Sequence, residues 1–215
     1  MIQLNANHVL YLLAAAQWTI VLSLLAFVGG ALVGLPMALM RVSRIAALRA
    51  VASAYIQFIQ GTPLLIILFL AYFGLGIMGL KLEPLIAAGL ALTIYAAAFL
   101  GEIWRGCIAA VPRTQWEASD CLGLTRLQQY AYVVLPQAVR IAIPPTVGFM
   151  VQIVKNTSLA SIIGFVELAR AGQIVNNSTF EPFAIFTIVG AIYFAMCYPL
   201  SLAARALERK TNVGR

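Results

Sequence analysis

The sequence predicts an all-α, polytopic membrane protein with about five transmembrane helices, its N-terminus outside and its C-terminus cytoplasmic. Three observations carry that prediction. Of the 215 residues, 62% are hydrophobic and only 10% are charged. A soluble domain is roughly a quarter charged, so too few polar side chains exist to cover a water-facing surface, and mean hydropathy is +0.94. The apolar residues gather into five runs, which are matched to the ~20 residues that a helix needs to cross a bilayer. The basic residues collect in alternate connections between those runs. One transmembrane domain over residues 1-215 accounts for all three, with residues 105-136 as a charged loop within it.

The start MIQLNANHVL has neither a basic leader nor a small-residue cleavage signature, so the first span is expected to insert uncleaved. That span lies in 18–40, with an apolar lead-in from Val9 along the interface. His8 stands alone there, with no partner in view. The second run, 55–76, contains Gly61-Thr62-Pro63. Thr62 suits a helix cap and Pro63 a first helical turn, so the triplet reads as helix punctuation. The third run is 84–104. At its inner end Glu102 and Arg105 are spaced to pair on one helix face. The pair is either a support for a gate and the adjoining loop, or an anchoring arginine with its partner.

The fourth run, 138–153, holds Pro144-Pro145. Proline removes backbone hydrogen bonds and bends a helix. Such a break either lines a transport path or is a kink tolerated between packed helices. The run ends in Lys155, Asn156, Thr157 and Ser158, and with Glu167 these form the densest polar set near membrane depth. A zwitterion needs a cation for its carboxylate and an anion for its ammonium group. Lys155 with the hydroxyls suits the first role and Glu167 the second. The alternative is an outer loop in water. The fifth run is 183–204.

Orientation follows from the cations. Arg41, Arg44 and Arg49 follow the first run; Arg105, Arg113, Arg126 and Arg140 lie between the third and fourth; Arg205, Arg209, Lys210 and Arg215 follow the fifth. The opposite connections hold Lys81 and Arg170, with Lys155 near the end of the fourth run. The excess of Lys and Arg marks the cytoplasmic side. The net charge of +7 therefore records membrane orientation and not nucleic-acid binding.

The connection 111–136, VPRTQWEASDCLGLTRLQQYAYVVLP, is too short for a domain. Pro112 can start a helix, and Glu117 sits in its early turns, where the dipole favours an anion. Ala118 and Ser119 are small enough for close approach by a partner. Gly123 can end the helix with a left-handed residue, and Leu135-Pro136 is expected to turn the chain into the fourth span. An amphipathic helix lying on the bilayer is the competing reading, but its polar face would be rich in Lys and Arg. Here Glu117 and Asp120 offset Arg113 and Arg126, which suits a protein partner better.

Cys107, Cys121 and Cys197 are scattered with no C-x-x-C spacing, so neither a metal nor a disulfide role is assigned. The chain has no G-x-x-x-x-G-K-[ST], H-E-x-x-H or G-x-S-x-G sequence. No residue is assigned a catalytic role, and the chain is not expected to hydrolyse ATP itself.

Several segments occur in a telling order: YIQFIQGTPLLIILFLAYFG (55–74), YAAAFLGEIWRGCIAAV (95–111), the 111–136 loop, Pro136-Gln137-Ala138, and Lys155-Asn156-Thr157-Ser158-Leu159. In this order they resemble the permease subunits of ABC importers of the polar amino acid uptake family, whose EAA loop docks into an ATPase. The resemblance runs from about Tyr55 to Leu168. It implies that the chain forms the translocation path for polar amino acids or related compounds, in a bacterial inner membrane. It also implies that Gln115, Glu117, Ala118, Ser119, Gly123, Leu135 and Pro136 couple to the ATPase. Gly61, Thr62, Pro63, Glu102, Arg105, Pro144 and Pro145 would support the gate and its helices.

The implied partners are cytoplasmic ATPase subunits, a second permease copy or a paralogue, an external substrate-binding protein and the lipid bilayer. The chain itself would carry no cofactor; ATP and Mg enter through the ATPase. Gln60, Ile67, Thr114, Ser119 and Asp120 depart from the family's usual residues, which leaves the choice of amino acid open. The competing function is a self-contained secondary transporter or channel for small polar solutes, which would require an ion-coupling site.

Overall fold

A computed structural model describes residues 4–212; Met1 to Gln3 of the expected uncleaved start, and Arg215 of the cation tally, lie outside them. No strand occurs among the described residues. Helix α1, Ala6–Val42, has 37 residues and is about 55 Å long at 1.5 Å per residue. Its start is fixed by a reciprocal cap: Asn5 Oδ1 accepts from the His8 backbone amide, and His8 Nδ1 accepts from that of Asn5, both at 3.2 Å. His8 thus has a partner. The expected interfacial lead-in from Val9 is instead the first part of this one helix.

The second expected span is two helices. α2, Ala46–Gln60, ends at Gly61, and the chain bends by 100° before the next helical stretch. That stretch is α3, Leu64–Phe69, a π-helical turn, Leu70–Gly74, and α4, Leu75–Ile77. Thr62 does not cap α3. Its hydroxyl donates to Phe58 O at 2.7 Å, closing α2, while Pro63, with ψ 133°, sets off the next helix without a side-chain cap. The reason is positional: the last carbonyls of α2 are unpaired, and a hydroxyl four residues beyond one of them reaches it directly.

α5, Pro84–Ala109, opens on proline and carries Arg105 inside the helix. α6, Arg113–Cys121, and α7, Arg126–Gln128, form a hairpin. From α7 the chain runs through a π-helical segment, Gln129–Val134, into α8, Leu135–Asn156, and a 3-10 turn, Thr157–Ile163. There is accordingly no turn at Leu135-Pro136. The Leu135 amide donates to Tyr130 O, five residues back, so the ladder is already widened where Pro136 would leave its own bond unmade. Pro144 and Pro145 likewise lie within α8 without ending it. α9, Leu168–Thr179, and α10, Pro182–Asn212, complete the chain. Four helical stretches are long and apolar enough to cross a membrane, and the bent pair brings the number to five if it counts as one.

The core is built on α1 against α5. Small residues let the two backbones approach: a Cβ on Gly30 would lie 2.4 Å from Ala96 Cβ, and one on Gly34 would lie 2.9 Å from Ala97 O. Leu68, Leu92 and Leu100 fill the space beside this seam. A second cluster joins α1 to α9 and α10 through Leu12, Leu168, Val175 and Ile185. A third, of Ile108, Val111, Val134 and Ala138, seats the hairpin on α5 and α8. Outward-facing apolar side chains such as Leu32, Phe58, Phe183 and Phe194 are largely exposed, as a lipid-facing surface requires.

Candidate functional site

The hairpin is built around its turn. Gly123 takes φ 69°, in the left-handed region, the conformation expected where it ends the helix. Its amide donates to Asp120 O at 3.0 Å, and that of Leu124 donates to Ser119 O at 3.2 Å, closing the end of α6. Thr125 and Gln128 then form a reciprocal cap that starts α7. Pro112 stands just before the first helical residue of α6.

Two side-chain faces result. Gln115, Glu117, Ala118 and Cys121 are exposed on α6, and among the described residues Glu117 pairs only with Arg113, one turn back, at 3.5 Å in open solvent. Leu122 and Leu127 add exposed apolar side chains at the tip, 78% and 80% accessible. Ser119, in contrast, is 2% accessible and donates to Trp116 O at 2.7 Å. Its small size serves the hairpin's own packing, not the approach of a partner, which corrects the expectation for this residue. Trp116 meets Tyr130 edge-on at 5.1 Å. Gln137 donates to Gln115 at 3.2 Å and to Val133 O at 2.8 Å, tying α6 to α8. Leu135 is half-buried and Pro136 exposed at the start of α8.

Glu102 and Arg105 do pair, at 2.6 Å, and Arg41 of α1 reaches the other carboxylate oxygen at 3.5 Å. The cluster ties the end of α1 to α5 beside the hairpin. Arg41 lay in the tally of inner cations, but its role needs a contact across 61 residues that no local spacing announces.

The polar set at the far end of α8 is divided. Lys155 is exposed, while Asn156 and Ser158 are half-buried. Asn156 accepts from Gln152 at 3.2 Å, and its own Nδ2 is buried without a partner. Thr157 is buried and donates to Val154 O; Ser158 donates to Lys155 O. Glu167 is fully buried. Its carboxylate caps α9 by accepting from the amides of Ala169 and Arg170 at 2.8 Å, and it accepts from the Tyr193 hydroxyl at 2.8 Å. Burial pushes this carboxyl above the usual carboxylate range, and the two amides pull it back. Thr19 of α1 accepts the Leu168 amide at 3.2 Å in the same knot.

The structure therefore does not bring Glu167 to an open face with Lys155. Pro144 lies eleven residues, about 16 Å of helix, from Lys155, so the proline pair does not open the backbone beside the polar set. Pro144 and Pro145 instead border a cleft of about 760 Å³ with Gln137, Arg140, Arg205 and Glu208. Gln129, Tyr193 and Thr19 were not singled out by the sequence, and Gln137 and Arg41 were named there without these contacts.

Chains similar in sequence and fold are known. A family profile for the binding-protein-dependent transport system inner membrane component matches residues 30–213. The probable amino-acid ABC transporter permease protein YckA of Bacillus subtilis is 34% identical over 93% of this chain and 88% of its own length. The L-cystine transport system permease protein TcyB of the same organism is 37% identical over 91% and 84%. The glutamine transport system permease protein GlnP of Escherichia coli is 32% identical over 94% and 93%.

Among solved structures, an amino acid ABC transporter crystallised with histidines superposes with a TM-score of 0.92 at 34% identity, over 97% of this chain and all of that one. The inward-facing MetNI methionine transporter shares the fold, with a TM-score of 0.83 at 21% identity over 97% and 100%. A match that takes in every helix from the middle of α1 to the end of α10, on a chain of apolar spans with a braced polar hairpin, leaves one assignment. The chain belongs to the binding-protein-dependent inner membrane components, the multi-pass permease subunits of ABC importers.

Proposed function

We propose that the chain forms half of a translocation path for a polar amino acid and is driven by a separate ATPase that grips residues 105–136. The hairpin carries this reading. It presents Gln115, Glu117, Ala118 and the apolar tip residues Leu122 and Leu127 outward, while Ser119, Trp116 and Gln137 hold it against α8. A projecting, internally braced surface with mixed polar and apolar side chains suits a protein partner. The distribution of cations supports a cytoplasmic hairpin and C-terminus, on the side where ATP is, with the N-terminus outside. Two copies, or one copy and a paralogue, enclose the path, and an external binding protein delivers the substrate. ATP and Mg belong to the ATPase.

The relatives named for cystine and glutamine support an amino acid as cargo. Lys155, Asn156 and Ser158 are the polar groups of the α8 end best placed to meet a carboxylate, with Thr157 behind them. Glu167 supports α9 from within. Gly61, Thr62 and Pro63 set the bend between α2 and α3, and the Glu102–Arg105 pair steadies α5 beside the hairpin.

The test is affinity purification of the tagged chain from its own cells in mild detergent, with mass spectrometry of bound subunits, followed by uptake in proteoliposomes. The expected result is an ATPase in stoichiometric amount, and glutamine or cystine uptake that requires ATP and the binding protein. Uptake that follows an ion gradient without ATP would assign the chain to secondary transport.

A further inference from the structure

Gln129 is the fully buried polar side chain of the hairpin region, and the reading above gives it no role. It opens the π-helical segment between α7 and α8. Every hydrogen of its amide is used. Nε2 donates to Asp120 Oδ1 at 2.5 Å and to Leu124 O at 3.2 Å. Oε1 accepts from Arg126 at 2.9 Å, and Arg126 lies 4.0 Å from the other oxygen of Asp120. Asp120 sits in the last turn of α6, Leu124 in the turn, and Arg126 at the start of α7. One side chain rooted beside α8 therefore holds three successive parts of the hairpin.

Two backbone bonds close the turn it bridges, from the Gly123 amide to Asp120 O and from the Leu124 amide to Ser119 O. No side chain packs where a Cβ on Gly123 would stand, so swivelling there is opposed by those bonds and by whatever spans the turn. A buried amide with all its partners in place resists that motion, because any change of angle between α6 and α8 leaves polar groups unpaired away from water.

We propose that Gln129 is a positioning residue for energy coupling: its amide holds α6 at a fixed angle to α8, so that force applied to α6 moves α8 as one lever. This rests on the reading that α6 meets an ATPase. The Gln129 amide at the centre of the clamp is itself buried, so it transmits force without supplying a contact of its own. Breaking it lets the hairpin flex at Gly123 while the ATPase completes its cycle, and ATP is consumed with less movement of substrate.

The readout is the number of L-glutamine molecules taken up per ATP hydrolysed, measured on the purified complex in proteoliposomes with its binding protein. Gln129→Leu and Asp120→Ala are each expected to lower this ratio about tenfold, the scale on which one unpaired buried amide shifts a local equilibrium. Asp120→Asn keeps an oxygen that accepts from Gln129. It loses only an exposed charge pair of small worth, so it retains the unaltered ratio.

A merely structural role predicts otherwise: Gln129→Leu would reduce the yield of complex, and each assembled complex would keep the unaltered ratio. That result overturns the proposal. Asp120 is exposed, so Asp120→Ala decides the matter if Gln129→Leu fails to assemble, and an unaltered ratio there overturns it equally. Failure of the unaltered chain to purify with any ATPase would overturn the proposed function itself, a different outcome from an assembled complex with normal coupling.

Discussion

Replacing Gly34 with alanine tests whether the α1–α5 seam is held by close backbone approach. In a bilayer, lipid tails are as apolar as leucine, so helices associate through packing, and small residues at the contact matter most. An alanine Cβ at position 34 would sit 2.9 Å from Ala97 O, 3.2 Å from Gly101 N and 3.3 Å from Leu100 Cβ. Two of these atoms are backbone, so no rotamer change relieves the overlap. Restoring ordinary contact requires α1 and α5 to part by about half an ångström, which forfeits roughly a quarter of the dispersion attraction along the seam. The expected cost is about 1–3 kcal/mol, the usual range for overpacking.

Two companions calibrate the result. Gly29→Ala meets both γ atoms of Thr93, Oγ1 at 2.7 Å and Cγ2 at 2.9 Å. Turning this β-branched side chain relieves the overlap only in part, but no backbone atom is in the way, so its cost is smaller than that of Gly34→Ala. Gly190→Ala meets nothing within 4 Å and replaces glycine with a better helix former, a gain of up to about 1 kcal/mol. Equilibrium unfolding of the purified chain in mixed micelles, followed by fluorescence of Trp18, Trp104 and Trp116, measures all three. The order of stability should be Gly190→Ala, then Gly29→Ala, then Gly34→Ala. A Gly34→Ala chain as stable as the Gly190→Ala chain refutes the seam.

Further outcomes follow from the hairpin and the α9 cap. Among the three cysteines only Cys121 is exposed, so a membrane-impermeant maleimide should label the native chain in inverted vesicles, and labelling of sealed cells would reverse the proposed orientation. Gly123→Val forces a β-branched residue to φ 69° at about 1–2 kcal/mol; uptake should fall while the chain stays in the membrane, and uptake at the unaltered rate counts against the hairpin's role. Glu167→Ala should lower stability by about 1–2 kcal/mol through loss of the cap, and uptake of cationic and neutral amino acids should decline in equal proportion. A loss confined to cationic substrates would place Glu167 in the path after all. Because burial raises the Glu167 carboxyl, its share of stability is present at low pH and is lost as pH rises through the raised value. Glu167→Gln should remove that slope in pH-dependent unfolding.

What the sequence discloses divides by range of interaction. The Glu102–Arg105 pair and the Gly123 turn are legible because spacing within one helical turn and a φ that favours glycine are local facts. So is the number of spans, since bilayer thickness fixes the length of each run. The α2–α3 bend was half legible: Gly61-Thr62-Pro63 announced punctuation, but whether Thr62 served the helix before or after it depended on which unpaired groups lay within reach. Glu167 misled because an acid near Lys155 in sequence suggested a charge offered to a ligand. Its partners, Tyr193 on α10 and the Ala169 and Arg170 amides, turn it inward, and Thr19, whose hydroxyl accepts the neighbouring Leu168 amide, lies 149 residues from Leu168.

The π-helical segment has no pattern of its own, and Pro136 marks only where the ladder must yield. Gln129 stood in a run of polar residues with nothing to separate it from Gln128, which caps α7 in open solvent. Burial alone distinguishes the two, and burial is set by how α6 folds back on the start of α8. The residues proposed to contact a partner are thus written in local sequence, while those proposed to aim the contact emerge only when the helices meet.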